Sequence, residues 1–216
     1  MKPYRDGHTY DLRQLGGGLQ ELVISNHLQM QALVQICADR TRYLDAVGNG
    51  VLACTETKDA YTYLDMALKL LAQDLRGKSF AKIETVDEGH IYEIHLSGHN
   101  PQRVTFVKRS GENIRHKEEW PGVQTQEVMR AVIHYIKKNY QRSSAPEIAN
   151  LLRMSLFMYE VRAYRRKQES VNRKAPAHDD TARPKDWHLY PFPDVPFNSD
   201  KIEMRAIGPD GHIIVL

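Results

Sequence analysis

Basic and aromatic side chains, grouped at three places, are the residues of this sequence best suited to chemistry. The groups are Arg40, Arg42 and Tyr43; Lys108 and Arg109; and Tyr159, Arg162, Tyr164, Arg165 and Arg166. Arginine and lysine bind phosphate, for which the guanidinium fork is the best match, and aromatic rings stack on flat bases. A simpler explanation is that basic residues near the end of a helix complement its dipole and stay solvated. Arg162 is the best candidate for a ligand contact, because it falls on the apolar face of its predicted helix.

Signals for other kinds of chemistry are weak. The sequence has no Walker loop, no His-Glu-x-x-His and no Gly-x-Ser-x-Gly motif. Among ten histidines, only His95 and His99 lie close together, across a predicted turn. Cys37 lies on an apolar stripe, which favours a core position over a nucleophile. We therefore expect no catalytic residues, no metal site and no cofactor.

Composition sets the broad class of the protein. The 216 residues carry a formal net charge of +3 and an isoelectric point near 8.8, which is well short of a polycationic nucleic-acid binder. Two cysteines are too few for a disulfide framework. The N-terminus lacks the apolar stretch of a signal peptide, and no long uncharged apolar run follows. These features predict a cytoplasmic protein without a membrane partner.

The elements that must position the third group form a predicted helical hairpin. Apolar residues recur at helical spacing over residues 125–140, with Ile133 on the buried face. After a short QRSS connection, Ser144-x-x-Glu147 is typical of a capping box, and a second helix is predicted over residues 147–165. A connection this short makes the helices antiparallel, with Leu152 and Ile133 buried between them.

The first group belongs to an earlier set of elements with the same order. Alternating residues at 7–12 and 19–24, separated by three glycines, predict a β-hairpin. Asn26, with Gln29 three residues later, predicts the start of a helix that reaches about residue 44. A second helix is predicted over residues 57–76, with Gly77 as its stop.

This order of elements then recurs. The string Glu-Gly-His-Ile-Tyr-Glu-Ile at 88–94 matches Asp-Gly-His-Thr-Tyr-Asp-Leu at 6–12, and a strand at 103–108 matches the second strand. The recurrence predicts an α+β protein with two tandem ββαα units, at residues 1–80 and 86–167. A polar linker would follow at 168–186, and then an arm at 187–216 with a β-hairpin around Pro209-Asp210-Gly211. The alternative is that any two ββαα segments look alike at this level.

The segment Gly122-Val-Gln-Thr-Gln-Glu-Val128, followed by the hairpin that ends Tyr-Glu-Val-Arg-Ala-Tyr-Arg-Arg-Lys167, resembles a family of small bacteriophage proteins. These are the Thoeris anti-defence sponges and their anti-CBASS relatives. Residues 88–167 fit the family pattern well and residues 6–78 fit it loosely. The resemblance implies a homo-oligomer that captures a cyclic nucleotide second messenger, either a cyclic ADP-ribose isomer or a cyclic oligonucleotide, without degrading it. For such a ligand, the basic and aromatic groups predict the binding residues Arg40, Tyr43, Lys108, Arg109, Tyr159, Arg162 and Arg165.

Two other functions remain open at this point. Glu-Ile-Ala-Asn-Leu-Leu at 147–152 resembles the first helix of a helix-turn-helix, which would make residues 145–167 a DNA-binding unit. That motif requires a turn near Arg153 and Met154, where neither glycine nor proline occurs, so one continuous helix and no nucleic-acid partner are expected. A phage structural or assembly protein that uses its tail as an arm is the other alternative.

Overall fold

The computed structural model describes residues 7–15, 17–47, 55–76, 81–110, 118–172, 205–207 and 213–215. Within them the fold is α+β, as predicted, with four helices and two three-stranded antiparallel sheets. The elements are β1 (His8–Leu15), β2 (Leu19–Ile24), α1 (His27–Val47), α2 (Thr55–Asp74), β3 (Lys82–Asp87), β4 (Ile91–His95), β5 (Gln102–Thr105), β6 (Lys108–Ser110), β7 (Glu118–Trp120), β8 (Gly122–Val123), α3 (Thr125–Asn139), α4 (Ala145–Asn172), β9 (Arg205–Ile207) and β10 (Ile213–Val215). The chain divides into two compact units, Met1–Ala163 and Tyr164–Leu216, and both predicted ββαα segments begin within the first.

The two sheets have the strand orders β2-β1-β8 and β3-β4-β5. The side-chain amide of Gln20 on β2 joins them by two hydrogen bonds to the backbone of β5. Its Nε2 donates to the Arg103 carbonyl at 3.2 Å, and its Oε1 accepts from the Thr105 N–H at 3.2 Å. Gln20 thus satisfies backbone groups that a neighbouring strand would otherwise pair.

Four strands were not predicted, namely β3, β6, β7 and β8. β3 is an edge strand with mostly exposed side chains, so it lacks the alternation that reveals a half-buried strand. The predicted strand at 103–108 is wrong beyond Thr105. Phe106 forms a parallel bridge to Val123, and Lys108 begins a second hairpin with β7. The break after Thr105 depends on which partner each residue pairs with, and the alternation within one segment does not show this.

The N-terminus of α1 follows the predicted signal, whereas the Ser144 hydroxyl of the predicted capping box donates to Asp74 instead. The Gln29 N–H donates to Asn26 Oδ1 at 2.9 Å, and Gln29 Oε1 accepts from the Ser25 N–H at 2.8 Å, so the N-terminus of α1 is capped from both sides. α1 packs against α2 and α3, and the four helices and two sheets share one core cluster. Cys37 is fully buried within this core, as its apolar stripe predicts.

Helices α3 and α4 are antiparallel, since Arg130 early in α3 contacts Glu160 late in α4, whereas Tyr140 and Ala145 line one crevice at the other end. Ile133 and Leu152 are both buried, as predicted. Near the open end of the pair, Arg130 Nη2 donates to Glu160 Oε1 at 2.8 Å. α4 passes Arg153 and Met154 without a turn, so the geometry that a helix-turn-helix requires there is not formed.

The tail differs from the prediction where α4 ends. The linker predicted from residue 168 is wrong at its start, because α4 continues to Asn172. Gln, Glu and Ser can extend a helix, and the next proline stands only at position 176. Further on, β9 and β10 pair antiparallel in the predicted order, with Ile207 opposite Ile213. The rest of the predicted linker and arm lies outside the described residues. Among the described helices, none is long and apolar enough to cross a bilayer.

Candidate functional site

Arg40, on the C-terminal half of α1, lies at the centre of a buried polar cluster. The side chain is only 4% exposed. Its Nη1 donates to the Gly89 carbonyl and its Nη2 to the Val107 carbonyl. Its Nε is buried and has no hydrogen-bond partner in the described part of the chain. One donor of this buried cation is therefore unpaired among the described residues.

Tyr43, one turn later on α1, covers the loop that Arg40 binds. Gly89 has a φ of +68°, and the position where its Cβ would lie is filled by the Tyr43 ring. The Arg40 guanidinium lies 5.5 Å from the centroid of that ring and 5.8 Å from the centroid of Phe106. These distances permit cation–π attraction, which is strengthened where water is excluded.

Tyr159 brings α4 to the same cluster. Its hydroxyl lies 2.6 Å from Thr41 Oγ1, which in turn donates to the Cys37 carbonyl at 2.6 Å. Since the Thr41 proton is directed to that carbonyl, Tyr159 donates to Thr41. Burial raises the pKa of Tyr159, so its phenol stays protonated and remains a donor at neutral pH.

The electrostatics of the cluster are dominated by two arginines. Arg162, on α4, is 9% exposed, so both it and Arg40 are removed from water. Burial lowers the pKa of Arg40, the phenols of Tyr159, Tyr92 and Tyr43 raise it, and the positive charge of Arg162 lowers it again. The charge of Arg162 therefore acts against that of Arg40 in a medium of low dielectric.

Lys108 follows Val107, whose carbonyl binds Arg40. Its Nζ lies 2.5 Å from Asp87 Oδ1, and both side chains are partly exposed. The lysine is therefore held close to the cluster in sequence, but its charge is already paired with a carboxylate. It would contribute to a ligand site only by sharing or exchanging that partner.

The structure thus brings Arg40, Tyr43, Tyr159 and Arg162 together, with Lys108 next to a residue of the cluster. Arg109 lies on β6, and its side chain is not among the described atoms. Arg165 is exposed and belongs to the second compact unit.

Three residues of the cluster were not predicted: Thr41, Gly89 and Tyr92. The Tyr92 hydroxyl accepts from the Gly89 N–H at 3.1 Å, and burial raises the pKa of Tyr92 to about 12. Gly89 and Tyr92 belong to the repeated Gly-His-x-Tyr string, which therefore carried a signal for this place. That signal indicated duplication, and nothing local in it showed that α1 would pack on the string.

A second polar group links α3 to α4. Arg130 binds two carboxylates, Glu127 and the largely buried Glu160. Burial raises the pKa of Glu160, and its contact with Arg130 lowers it by a smaller amount. Glu160 Oε2 is buried without a hydrogen-bond partner in the described residues. The Arg130–Glu160 ion pair links α3 to α4 at the end of the helix pair farther from the connection between them.

Metal chemistry has no support in the described residues, where no three side chains of His, Cys, Asp or Glu form a group that could hold an ion. Comparisons with protein-family models, curated proteins and solved structures found no match to the chain. The case for a function therefore rests on the residues themselves and on the geometry of the Arg40 cluster.

Proposed function

We propose that this chain is a binding protein that captures a phosphate-bearing nucleotide and holds it without cleaving it. The observation that carries the proposal is the pair of buried arginines, Arg40 and Arg162, surrounded by tyrosines. Phosphate oxygens accept well from guanidinium groups, and the unpartnered Nε of Arg40 offers one donor. The partly exposed ring of Tyr43 gives a base a surface for stacking.

The proposed identity of the ligand follows from the family resemblance. A cyclic nucleotide immune signal, either a cyclic ADP-ribose isomer or a cyclic oligonucleotide, has the phosphates and the flat base that such a cluster fits. The protein would then be a phage counter-defence sponge that acts in the cytoplasm of the host cell as a homo-oligomer. DNA binding is not proposed, because α4 is continuous through Arg153 and Met154.

We also propose that the chain is a tandem duplication of a ββαα unit, and one pattern of contacts supports this. The first copy of the repeated string contacts α3, which is the first helix of the second half. His8 Nε2 lies 2.9 Å from Asn139 Oδ1, and the Tyr10 hydroxyl lies 3.0 Å from His134 Nδ1, both partners being on α3.

The second half reciprocates this contact. The string at 88–94 docks on α1, the first helix of the first half, through Gly89 with Arg40 and Tyr43. Each copy thus places its motif on the helix of the other, as subunits do in a two-fold homodimer. The two contacts differ in chemistry. α1 contributes the buried Arg40 to one contact, whereas α3 contributes His134 and Asn139 to the other.

The test is calorimetric titration of the purified full chain with cyclic nucleotide signals. We expect Arg162→Ala to weaken binding by roughly 10- to 100-fold, because a charge-assisted bond to phosphate is worth about 1.5–3 kcal/mol. Arg162→Lys keeps the charge but loses the fork and should fall between the two. Arg13→Ala, which removes an exposed arginine on β1, is the matched control and should leave affinity unchanged.

The bound ligand is then released by heating and identified by mass spectrometry. An intact ligand is expected, and recovery of a linear or hydrolysed product would make the protein an enzyme. Equal affinity of Arg162→Ala and wild type would place the site elsewhere. Because Arg162 is buried, thermal unfolding of each variant must show that it is folded at the titration temperature.

A further inference from the structure

A crevice of about 310 Å³ lies between the end of α3 and the start of α4, away from the Arg40 cluster. Most of its lining is apolar, and its charged and amide side chains are those of Lys137, Asn150 and Arg153. The lining residues are Ile136, Lys137, Tyr140, Ala145, Pro146, Ala149, Asn150 and Arg153. A pocket of this size is at the lower end of the range for small-molecule sites.

The wall made by Tyr140 is fixed from behind. Its hydroxyl donates to Asp74 Oδ2 at 2.8 Å, and the Ser144 hydroxyl donates to the same carboxylate oxygen. These bonds tie the α3–α4 connection to α2. The ring and the crevice beside it are therefore preorganised, which reduces the entropy lost when a ligand binds.

Arg153 is the main polar feature of the crevice. Its Nη1 donates to Asn150 Oδ1 at 2.8 Å, and its Nε is buried without a hydrogen-bond partner among the described residues. Burial lowers the pKa of Arg153, which reflects the cost of holding a charge in an apolar wall. A buried N–H of a charged group that makes no hydrogen bond is unfavourable, and a bound anion would accept that hydrogen bond.

The charges around the crevice favour an anion as well. Lys137 is exposed on the rim and pairs with no carboxylate in the described part of the chain. Ala145 and Pro146 place the N-terminus of α4 in the lining, where the helix dipole adds partial positive charge. Ile136, Ala149 and Pro146 leave room beside these charges for an apolar body rather than for a second polar group.

We propose that this crevice binds a small carboxylic acid with an aliphatic or aromatic body. The carboxylate would take the Nε side of the Arg153 fork, with Lys137 at the rim, and the apolar body would lie against Ile136, Ala149 and the Tyr140 ring. This site is independent of the Arg40 cluster and of the nucleotide proposed there. A carboxylate suits the site better than a nucleotide, because the lining supplies one fork and an apolar surface.

The probes are octanoate and 1-octanol, which share an alkyl chain and differ in the anionic head. Titration of the full chain is followed by the amide signals of residues 136–153 in two-dimensional NMR. We expect octanoate to shift these signals and to bind about tenfold or more tightly than octanol, given the strength of charge-assisted bonds. A peptide that ends in a free carboxylate, beside its amidated form, tests whether a chain terminus is the natural source of the acid.

The variants are Arg153→Gln and Arg153→Lys, with Arg13→Gln as the control of equal charge change. Octanoate affinity should fall about tenfold in Arg153→Gln and less in Arg153→Lys, and should not change in Arg13→Gln. Equal binding of octanol and octanoate, no shift with either, or an affinity in folded Arg153→Gln within twofold of wild type would each overturn the proposal. If Arg153→Gln does not fold, the comparison of the two probes on wild-type protein decides. Preference for the peptide over octanoate would overturn the small-molecule form of the proposal.

Discussion

Two separate features require a glycine at position 89. Its φ of +68° lies in the left-handed region, and the space for its Cβ is filled by the Tyr43 ring. The glycine therefore lets α1 approach the β3–β4 turn closely enough for Arg40 to bind the Gly89 carbonyl. The Gly-His-x-Tyr string is thus a packing motif at this point of the molecule.

Gly89→Ala should lower the free energy of unfolding by about 2–4 kcal/mol, since backbone strain and steric overlap add. Gly98→Ala is the matched control. Gly98 also has a positive φ, of +80°, but a Cβ there would meet no atom within 4 Å. The control should therefore lose only the backbone part, about 1–2 kcal/mol, in urea unfolding. Equal losses in the two variants would mean that Tyr43 does not pack on Gly89.

Glu160 predicts a dependence of stability on pH. Burial raises its pKa in the folded state, so the folded protein takes up this proton more readily than the unfolded chain does. The contribution of Glu160 to stability is therefore greatest below its unfolded pKa and declines as the pH rises through the folded pKa. Gln at this position does not titrate, yet its Oε1 can still accept from Arg130.

The measurement is the difference in unfolding free energy between wild type and Glu160→Gln, from pH 4 to pH 8. Wild type should gain stability relative to the variant as the pH falls. Glu127→Gln, which removes the more exposed carboxylate bound to the same arginine, is the control for the loss of one carboxylate from Arg130. A difference that grows with rising pH would reverse the sign and show that Arg130, not burial, controls this carboxylate.

At the scale of single residues, the sequence revealed side chains whose environment is local. Cys37 and Arg162 lie on the apolar stripes of their helices, and both are buried. The environment of Arg40 could not be predicted, because its bonds reach Gly89 and Val107, which are far along the chain. Arg40, Tyr43, Tyr159 and Arg162 lie together in the structure, and their role in binding stays a prediction.

The helices α3 and α4 show what periodicity can predict at the scale of elements. Their apolar spacing and the short connection predicted two antiparallel helices, with Ile133 and Leu152 on the inner faces. Strands β6, β7 and β8 are only two or three residues long, which is too short for alternation to indicate them, and β8 also pairs with the distant β1. β1 pairs with β8, a strand that lies just before α3 and far along the chain from β1. Only the tertiary structure shows this pairing.

The core positions of this helix pair give a further prediction. Ile133→Ala and Leu152→Ala should each cost about 2–5 kcal/mol, because each leaves a cavity in a packed core. The control is Leu19→Ala, at a side chain that is 65% exposed, which should change stability by less than about 0.5 kcal/mol. Denaturant unfolding measures all three. A loss below roughly 0.5 kcal/mol for either core variant would mean that the buried faces are wrongly assigned.

At the scale of the whole molecule, the main question is whether the two halves depend on each other. α1 packs against α3, β1 pairs with β8, and Gln20 joins β2 to β5. Each of these contacts links residues before position 80 to residues after it. A chain in which two separate ββαα domains were simply joined would not need them, so the proposed duplication resembles a homodimer whose subunits became one polypeptide.

This dependence predicts the behaviour of two fragments, residues 1–80 and 81–216, made separately. Each should have little cooperative structure alone, because its part of the core would be exposed to water. When mixed, they should form a one-to-one complex, with a gain in helical circular dichroism and a matching mass in size-exclusion chromatography. Gly89→Ala in the second fragment should weaken the complex, since its contacts with Arg40 and Tyr43 then cross between chains, and Gly98→Ala should not. Two fragments that each unfold cooperatively as monomers, and do not associate, would show that the halves are independent domains.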